Sequence, residues 1–339
     1  MTAASPAPDF AADPAPVRVQ ASVILPTCDR AGQTRRCLQA LAAQSFSDFE
    51  IIVVDDASTD DTPEMLEDFA HAHPNLAVRV IRNEENLGAN RSRNRGVHAS
   101  DAPFVAFLDS DCVAEPDWLE QLLSGFTEDD IVAVTGLVLD PEPDNVWELA
   151  FAGTHRLAHA GPTHRVVAGN LCVRRQPLLD VAFDEDFVDR ARHPDGRPDT
   201  SFSGRCDEEG IFLQLRAQGW TFIARPEARV FHDHRYDARA FRRQAYFGGR
   251  AAAELVYKYR LPPRPDMLPF MLGYGSLLIT LPLVIAFGHW PLLLIPAFFL
   301  AGAAAAVSYN DLVRKGKSIP QPLRVAPALA LYYHLRLAG

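Results

Sequence analysis

Four short apolar runs in the first third of the chain each stop at a cluster of polar residues, and apolar side chains recur at helical spacing between them. The first run, Ala21-Ser-Val-Ile-Leu25, ends in Pro26-Thr27-Cys28-Asp29-Arg30, after which residues 34–43 carry the helical period. The second, Glu50-Ile-Ile-Val-Val54, ends in Asp55-Asp56-Ala57-Ser58-Thr59-Asp60, and Pro63 suits the first turn of the helix that follows. The third, residues 77–81, gives way to Asn83-Glu84-Glu85-Asn86-Leu87-Gly88 and a helix from Ala89 that carries Arg91, Arg93 and Arg95. The fourth, residues 103–108, stops at Asp109-Ser110-Asp111. Strands alternating with helices predict an α/β fold with a parallel sheet, and such sheets take ligands outside the carboxyl ends of their strands. The four polar clusters are therefore expected to converge.

Their chemistry suits a phosphorylated ligand. Asp109 and Asp111 alternate across one residue at a strand end, where two carboxylates can hold a hard divalent cation against a phosphate. A solvated turn in which the pair caps the next helix is the plainer alternative. Arg91 and Arg95 lie four apart on one helical face and could neutralise diphosphate oxygens, or could be ordinary arginines of a solvated face.

The ordered set Ser22-Val-Ile-Leu-Pro-Thr27, Ile52-Val-Val-Asp-Asp-Ala-Ser-Thr-Asp60, Asn86-Leu-Gly-Ala-Asn90 with residues 91–96, and Phe107-Leu-Asp-Ser-Asp111 resembles family 2 glycosyltransferases of the GT-A fold. Weaker matches follow at Gly169-Asn170-Leu171 and Asp207-Glu208-Glu209, so the resemblance covers roughly residues 20–235. It implies a nucleotide-diphospho-sugar transferase domain with a Rossmann-like mixed sheet, a nucleotide-diphosphate sugar as donor, and Mn2+ or Mg2+. It assigns Asp56 to the edge of the donor's base, for which a helix cap is the alternative. Pro26, Thr27 and Asp29 would line the same donor pocket, and Asp111, with Asp109 less directly, would hold the metal. Asn170 would lie on the strand under the donor sugar. Inverting members take the acceptor's proton with a carboxylate from a Glu-Asp pair before a helix ending in Arg-x-x-Gly. Here the register of Leu213-Gln-Leu-Arg-Ala-Gln-Gly219 places Asp207-Glu208 on that pair, in reversed order, so both are candidates for the base. An acidic first turn complementing a helix dipole is the alternative. His232 stands where some GT-A enzymes close the metal's coordination, although a histidine after a strand can be only a satisfied polar residue.

At 339 residues and 48% hydrophobic, the chain has room for a large domain and an appendage. A net charge of -10 and the lack of a zinc-ligand spacing argue against a nucleic-acid partner. Five cysteines, odd in number and without a CxxC pair, suit a reducing compartment. Residues 1–17 are rich in Ala, Pro and Asp and are expected to be a disordered tail, leaving 18–235 as the catalytic domain. Basic and aromatic residues alternate through 236–264, which predicts an interfacial amphipathic segment. Within 265–310, residues 267–287 and 290–310 are uncharged and separated by Gly288-His289, which predicts a transmembrane helical hairpin; a buried hairpin of a soluble domain is the alternative. Residues 311–339 would be a cytoplasmic tail with a possible surface helix. Basic residues precede and follow the hairpin, so the positive-inside rule puts the catalytic domain on the cytoplasmic side of the inner membrane. Trp118 is expected to pack a helix start, Trp147 to stack on a sugar or fill core, and residues 189–205 to form a closing loop. The expected function is a membrane-attached, metal-dependent, inverting glycosyltransferase acting on a lipid-linked or cell-envelope glycan acceptor. The reversed pair leaves a non-catalytic membrane scaffold of the same fold as the alternative.

Overall fold

The computed structural model describes residues 19–140, 142, 144–151, 160–163, 166–185, 207–232, 237–260 and 268–296. In chain order its elements are β1 (Ala21–Thr27), α1 (Ala31–Ala42), β2 (Phe49–Asp55), α2 (Thr62–Ala72), β3 (Ala77–Arg82), α3 (Ala89–Ala99), β4 (Phe104–Leu108) and β5 (Cys112–Ala114). There follow α4 (Trp118–Leu123), β6 (Ile131–Leu139), α5 (Val146–Phe151), β7 (Gly161–Pro162), β8 (Asn170–Arg174), α6 (Arg175–Val181), α7 (Asp207–Ala217), β9 (Thr221–His232), α8 (Ala238–Tyr259) and α9 (Leu268–Phe287).

The four apolar runs are the parallel strands β3-β2-β1-β4, crossed by α1, α2 and α3. β1, β2 and β4 are nearly continuous in apolar side chains because both of their faces are covered, whereas β3, at the end of the strand order, alternates with Arg79 and Arg82 and is mostly half-buried. Val23, Leu25, Ile51 and Val53 pack toward Leu38, Leu41, Leu66 and Trp118, while Ile24, Ile52, Val54 and Phe107 pack toward Val97, Leu178, Ile211 and Leu215. Each such side chain removed fully from water contributes about 2 kcal/mol. Beyond β4 the sheet turns mixed. β8 is antiparallel to both β4 and β6, β9 runs parallel to β6, and β5 pairs antiparallel with the end of β9.

Close contact between α3 and β1 depends on Gly96. A Cβ there would lie 2.6 Å from Ile24 Cγ2, so a larger residue would lift the helix from the strand. This matters because α3 carries Arg93, which pairs with Asp109, and Asn90, which supports it.

Residues 142–154 and 235–339 form a second unit. Its α8 starts where Asp237 accepts a hydrogen bond from Ala240 N at 2.6 Å, buries Phe241, Ala245 and Leu255, and exposes Arg242, Arg243, Tyr246 and Tyr257. Trp147 lies against Phe241 with ring centroids 5.2 Å apart, which gives this tryptophan a packing partner within the unit. The 20-residue α9 corresponds to the first expected span and leaves Leu278, Ile279, Ile285 and Phe287 exposed. The side chains of residues 268–271 and 273–275 lie outside the described ones, and over the described residues no helix is long and apolar enough to cross a membrane. The expected hairpin is therefore not reproduced; of its second span only residues 290–296 are described, beginning with a 3-10 turn at Trp290–Leu293. The expected tail at 1–17, the closing loop at 189–205 and the segment 311–339 lie outside the described residues.

Candidate functional site

The polar clusters after β1, β2 and β3 are joined by hydrogen bonds into one surface. Asp29 sits at φ 50° and turns its carboxylate toward the second cluster, where Oδ1 accepts from Thr59 N (2.6 Å), Thr59 Oγ1 (3.2 Å) and Asp60 N (3.2 Å). Its own N–H donates to Ser58 Oγ at 3.0 Å. Asp56 reaches the third cluster: Oδ1 accepts from Asn83 Nδ2 (2.6 Å) and Leu87 N (2.8 Å), and Oδ2 from Gly88 N (2.8 Å). Asp56 N in turn donates to Thr27 O at 2.8 Å, next to Pro26. The structure thus gathers Pro26, Thr27, Asp29 and Asp56 and gives both acidic residues a local task in holding loops. Any base edge at Asp56 would share a carboxylate that already accepts three bonds.

The acidic turn after β4 lies beside two arginines. Asp109 Oδ1 is 2.9 Å from Arg93 Nη2, and Asp111 Oδ2 is 2.7 Å from Arg30 Nη1. Gly169 lies against Asp109, since a Cβ there would come within 2.5 Å of its Oδ2. On its other side Asp111 Oδ1 is 3.4 Å from His232 Nε2, and Asp140 Oδ1 is 4.0 Å from His232 Nδ1. Cys112 and His232 are direct cross-strand partners of β5 and β9, so their side chains share a face of the sheet. One ligand atom each from Asp111, Cys112 and His232 lies within 4.8 Å of the others. Oxygen, nitrogen and sulfur donors at that spacing fit a divalent cation of intermediate softness.

The same crowding shifts protons. Burial alone would lower the His232 pKa, but the Asp111 carboxylate as hydrogen-bond acceptor and charge, then Asp109 and Asp140, outweigh it and hold it above the usual 6.5. Burial pushes the Cys112 thiol well up, reinforced by Asp111 and Asp109. A cation would reverse both tendencies by favouring neutral imidazole and thiolate.

Arg91 and Arg95 are not brought to the acidic turn. Arg91 Nε lies 3.6 Å from Glu185 Oε2, and Arg95 Nη1 donates to Arg82 O (2.9 Å) and Asn83 Oδ1 (2.5 Å). At about 100° per residue, Arg93 lies on the opposite face of α3 from both. That face, with Asn90, Gly96 and Val97, is the buried one. The signal for Arg93 was its spacing of three and four residues from Gly96 and Val97. Arg30, three residues past the end of β1 and just before α1, carries no comparable sequence signal.

Asn170 is wholly buried: Oδ1 accepts from Trp118 Nε1 (2.8 Å), and Nδ2 donates to Leu137 O (3.1 Å) and Ala228 O (2.9 Å). Its side chain ties α4, β6 and β9 together beneath the sheet's end, and Trp118 packs the start of α4 as expected. Asp207 and Glu208 occupy the first turn of α7, and their side chains lie outside the described ones.

Residues 22–178 match the family model Glycosyl transferase family 2. Glycosyltransferase AglE of Haloferax volcanii is 34% identical over 119 residues, covering 34% of this chain and 38% of that protein. A pre-mycofactocin glycosyltransferase of Mycobacterium tuberculosis is 27% identical over 258 residues, covering 76% of this chain and 51% of that protein. Among solved structures, mannosyltransferase PcManGT from Pyrobaculum calidifontis, in complex with GDP-Man and Mn2+, superposes with a TM-score of 0.60 at 18% identity. That superposition covers 97% of this chain and 89% of the other, and is a likeness of fold. The chain spans 38% and 51% of the lengths of these two curated relatives. Residues 22–178 thus resemble family 2 glycosyltransferases, and the mixed α/β sheet resembles that of the mannosyltransferase in fold.

Proposed function

We propose that the chain is a membrane-attached glycosyltransferase that moves a sugar, with inversion, from a nucleotide-diphosphate donor to a lipid-linked or cell-envelope acceptor. The observation that carries this reading is the cluster of Asp111, Cys112 and His232 donor atoms within 4.8 Å, at the strand ends where the nucleotide-facing loops also gather. Of the two expected ions, Asp111 and His232 would hold Mn2+ in preference to the harder Mg2+, with Cys112 beside them. Such an ion supplies Lewis-acid stabilisation of charge on the departing nucleoside diphosphate.

The remaining work falls to the chain. Pro26, Thr27, Asp29 and Asp56 shape the pocket for the nucleoside. Arg93, buried and held against Asp109, provides a fixed positive charge toward the diphosphate. Asp207 or Glu208 takes the proton from the acceptor hydroxyl as its oxygen attacks the anomeric carbon on the face opposite the leaving group. The sugar–phosphate C–O bond breaks, and the electron pair leaves with the diphosphate.

Membrane attachment is supported by the exposed apolar side chains of α9, while α8, whose apolar stripe is covered by protein, offers only the exposed Arg242 and Arg243 to anionic headgroups.

The test is a thermal-shift screen of nucleotide sugars with and without MnCl2. A ligand that binds the native state raises its melting temperature by mass action. Stabilisation that needs Mn2+ and vanishes in Asp111→Ala is the expected result. Stabilisation indifferent to Mn2+ and to Asp111 would overturn the metal assignment, and donor binding without transfer in membrane extracts would favour the scaffold.

A further inference from the structure

Two arginines neutralise the acidic turn, and the structure holds them very differently. Arg93 is 4% exposed, its Nη1 donates to Asn90 Oδ1 at 3.2 Å, and its guanidinium lies 5.5 Å from the Phe183 ring centroid. Packed on all these sides, it cannot leave Asp109 without disturbing α3. Arg30 is 42% exposed, while its partner Asp111 is 7% exposed. Its backbone is fixed: the N–H donates to Thr62 Oγ1 at 3.2 Å and the carbonyl accepts from Thr34 N at 2.9 Å, opening α1. The long side chain can therefore swing through solvent while its root stays in place.

The two oxygens of Asp111 face different partners. Oδ2 meets Arg30 and Oδ1 meets His232, so a cation among Asp111, Cys112 and His232 would sit on the carboxylate that Arg30 now holds. A divalent ion there repels the guanidinium and replaces its charge on Asp111. A freed guanidinium beside a cation-bound diphosphate has an obvious new acceptor, since its planar fork matches phosphate oxygens.

We propose that Arg30 is an exchangeable counter-ion: it holds Asp111 while no divalent cation is bound, cedes the carboxylate when the cation enters, and then takes an oxygen of the nucleoside diphosphate. This rests on the metal-dependent reading above and adds a residue to it. Arg30 is a competitor of the cation alone and a partner of the cation with diphosphate. Each ligand therefore strengthens the other, by the same factor in both directions.

The experiment measures Mn2+ binding to the full chain by calorimetry, without and with GDP or UDP, in the wild type, Arg30→Met and Arg30→Lys. Arg30→Met should bind Mn2+ alone about tenfold more tightly, within the usual span of coupling factors, and should lose most of the enhancement by nucleoside diphosphate. Arg30→Lys, which keeps the charge without the fork, should restore the competition and only part of the enhancement. A merely structural role would instead lower the melting temperature and leave both Mn2+ constants where the wild type has them. Equal or weaker Mn2+ binding by Arg30→Met, with coupling to diphosphate intact, overturns the role of Arg30 and leaves the metal reading standing. If neither wild type nor variants bind Mn2+ under any condition, the metal reading itself falls and takes this role with it.

Discussion

Asn170 shows how far a residue's surroundings can differ from what its motif suggests. Its side chain makes three buried hydrogen bonds, one of them from the Trp118 indole. Asn170→Ala would leave a donor and two carbonyls unmet and should cost about 3 kcal/mol. Chemical denaturation should show this as a lower midpoint; a loss under 1 kcal/mol would mean that water replaces the amide there. His232 supplies a pH signature. Its folded pKa lies above 6.5, so its ion pair with Asp111 contributes stability that is full below the unfolded value and lost as pH rises through the folded one. With chelator present, the stability gap between wild type and His232→Gln should be wider at pH 6 than at pH 9, as followed by urea midpoints. Residue type at strand ends singled out Asp111 and His232 in the sequence in spite of their bland alternatives, and the structure places them 3.4 Å apart. Arg30 and Arg93 were not singled out, because which of several arginines turns inward depends on which helix face the sheet covers.

The first four strands could be read from the chain because each is an apolar run ended by polar loop residues. The strands β8, β9 and β5 could not be arranged, since their pairings join residues as far apart as Cys112 and His232 and leave no local trace. Among the helices, α3 is the most exposed to perturbation. Gly96→Ala gains some helix propensity, but its methyl meets Ile24 at 2.6 Å, a branched side chain locked in the core. The net effect should be a loss of about 1–3 kcal/mol, with Arg93 and Asn90 displaced as the helix moves. Unchanged stability in a melt of this variant would show that Ile24 has room to turn. For α7 the matter is which carboxylate of its first turn acts. Asp207→Asn and Glu208→Gln keep size and hydrogen bonding. The true base variant should still bind donor while transfer falls about 100-fold or more, and the other should lose far less. Near-normal transfer by both, measured with saturating donor, would move the base elsewhere, with residues 184–189 the next place to look.

At the scale of the molecule, the resemblance to family 2 glycosyltransferases over residues 22–178 was legible from ordered motifs, whereas the apolar C-terminal stretch was only partly so. Exposed Leu278, Ile279, Ile285 and Phe287 on α9 are costly in water and call for a cover, for which a bilayer is the reading proposed here. With basic residues on both flanks of the uncharged runs, a cysteine placed at His289 should be labelled by an impermeant reagent from outside intact cells, and one placed at Gly316 should not. The reverse pattern would separate the domain from a cytoplasmic donor supply. The pairing of Cys112 with His232 has a consequence for the protein's birth on the ribosome. A nascent chain can bring its first four parallel strands together early, but one face of them waits for Ile211 and Leu215 of α7, and Cys112 waits for His232. On the metal-dependent reading proposed above, a chain cut short before His232 would lack both that cover and a ligand, and would show no gain in nucleotide binding on adding Mn2+.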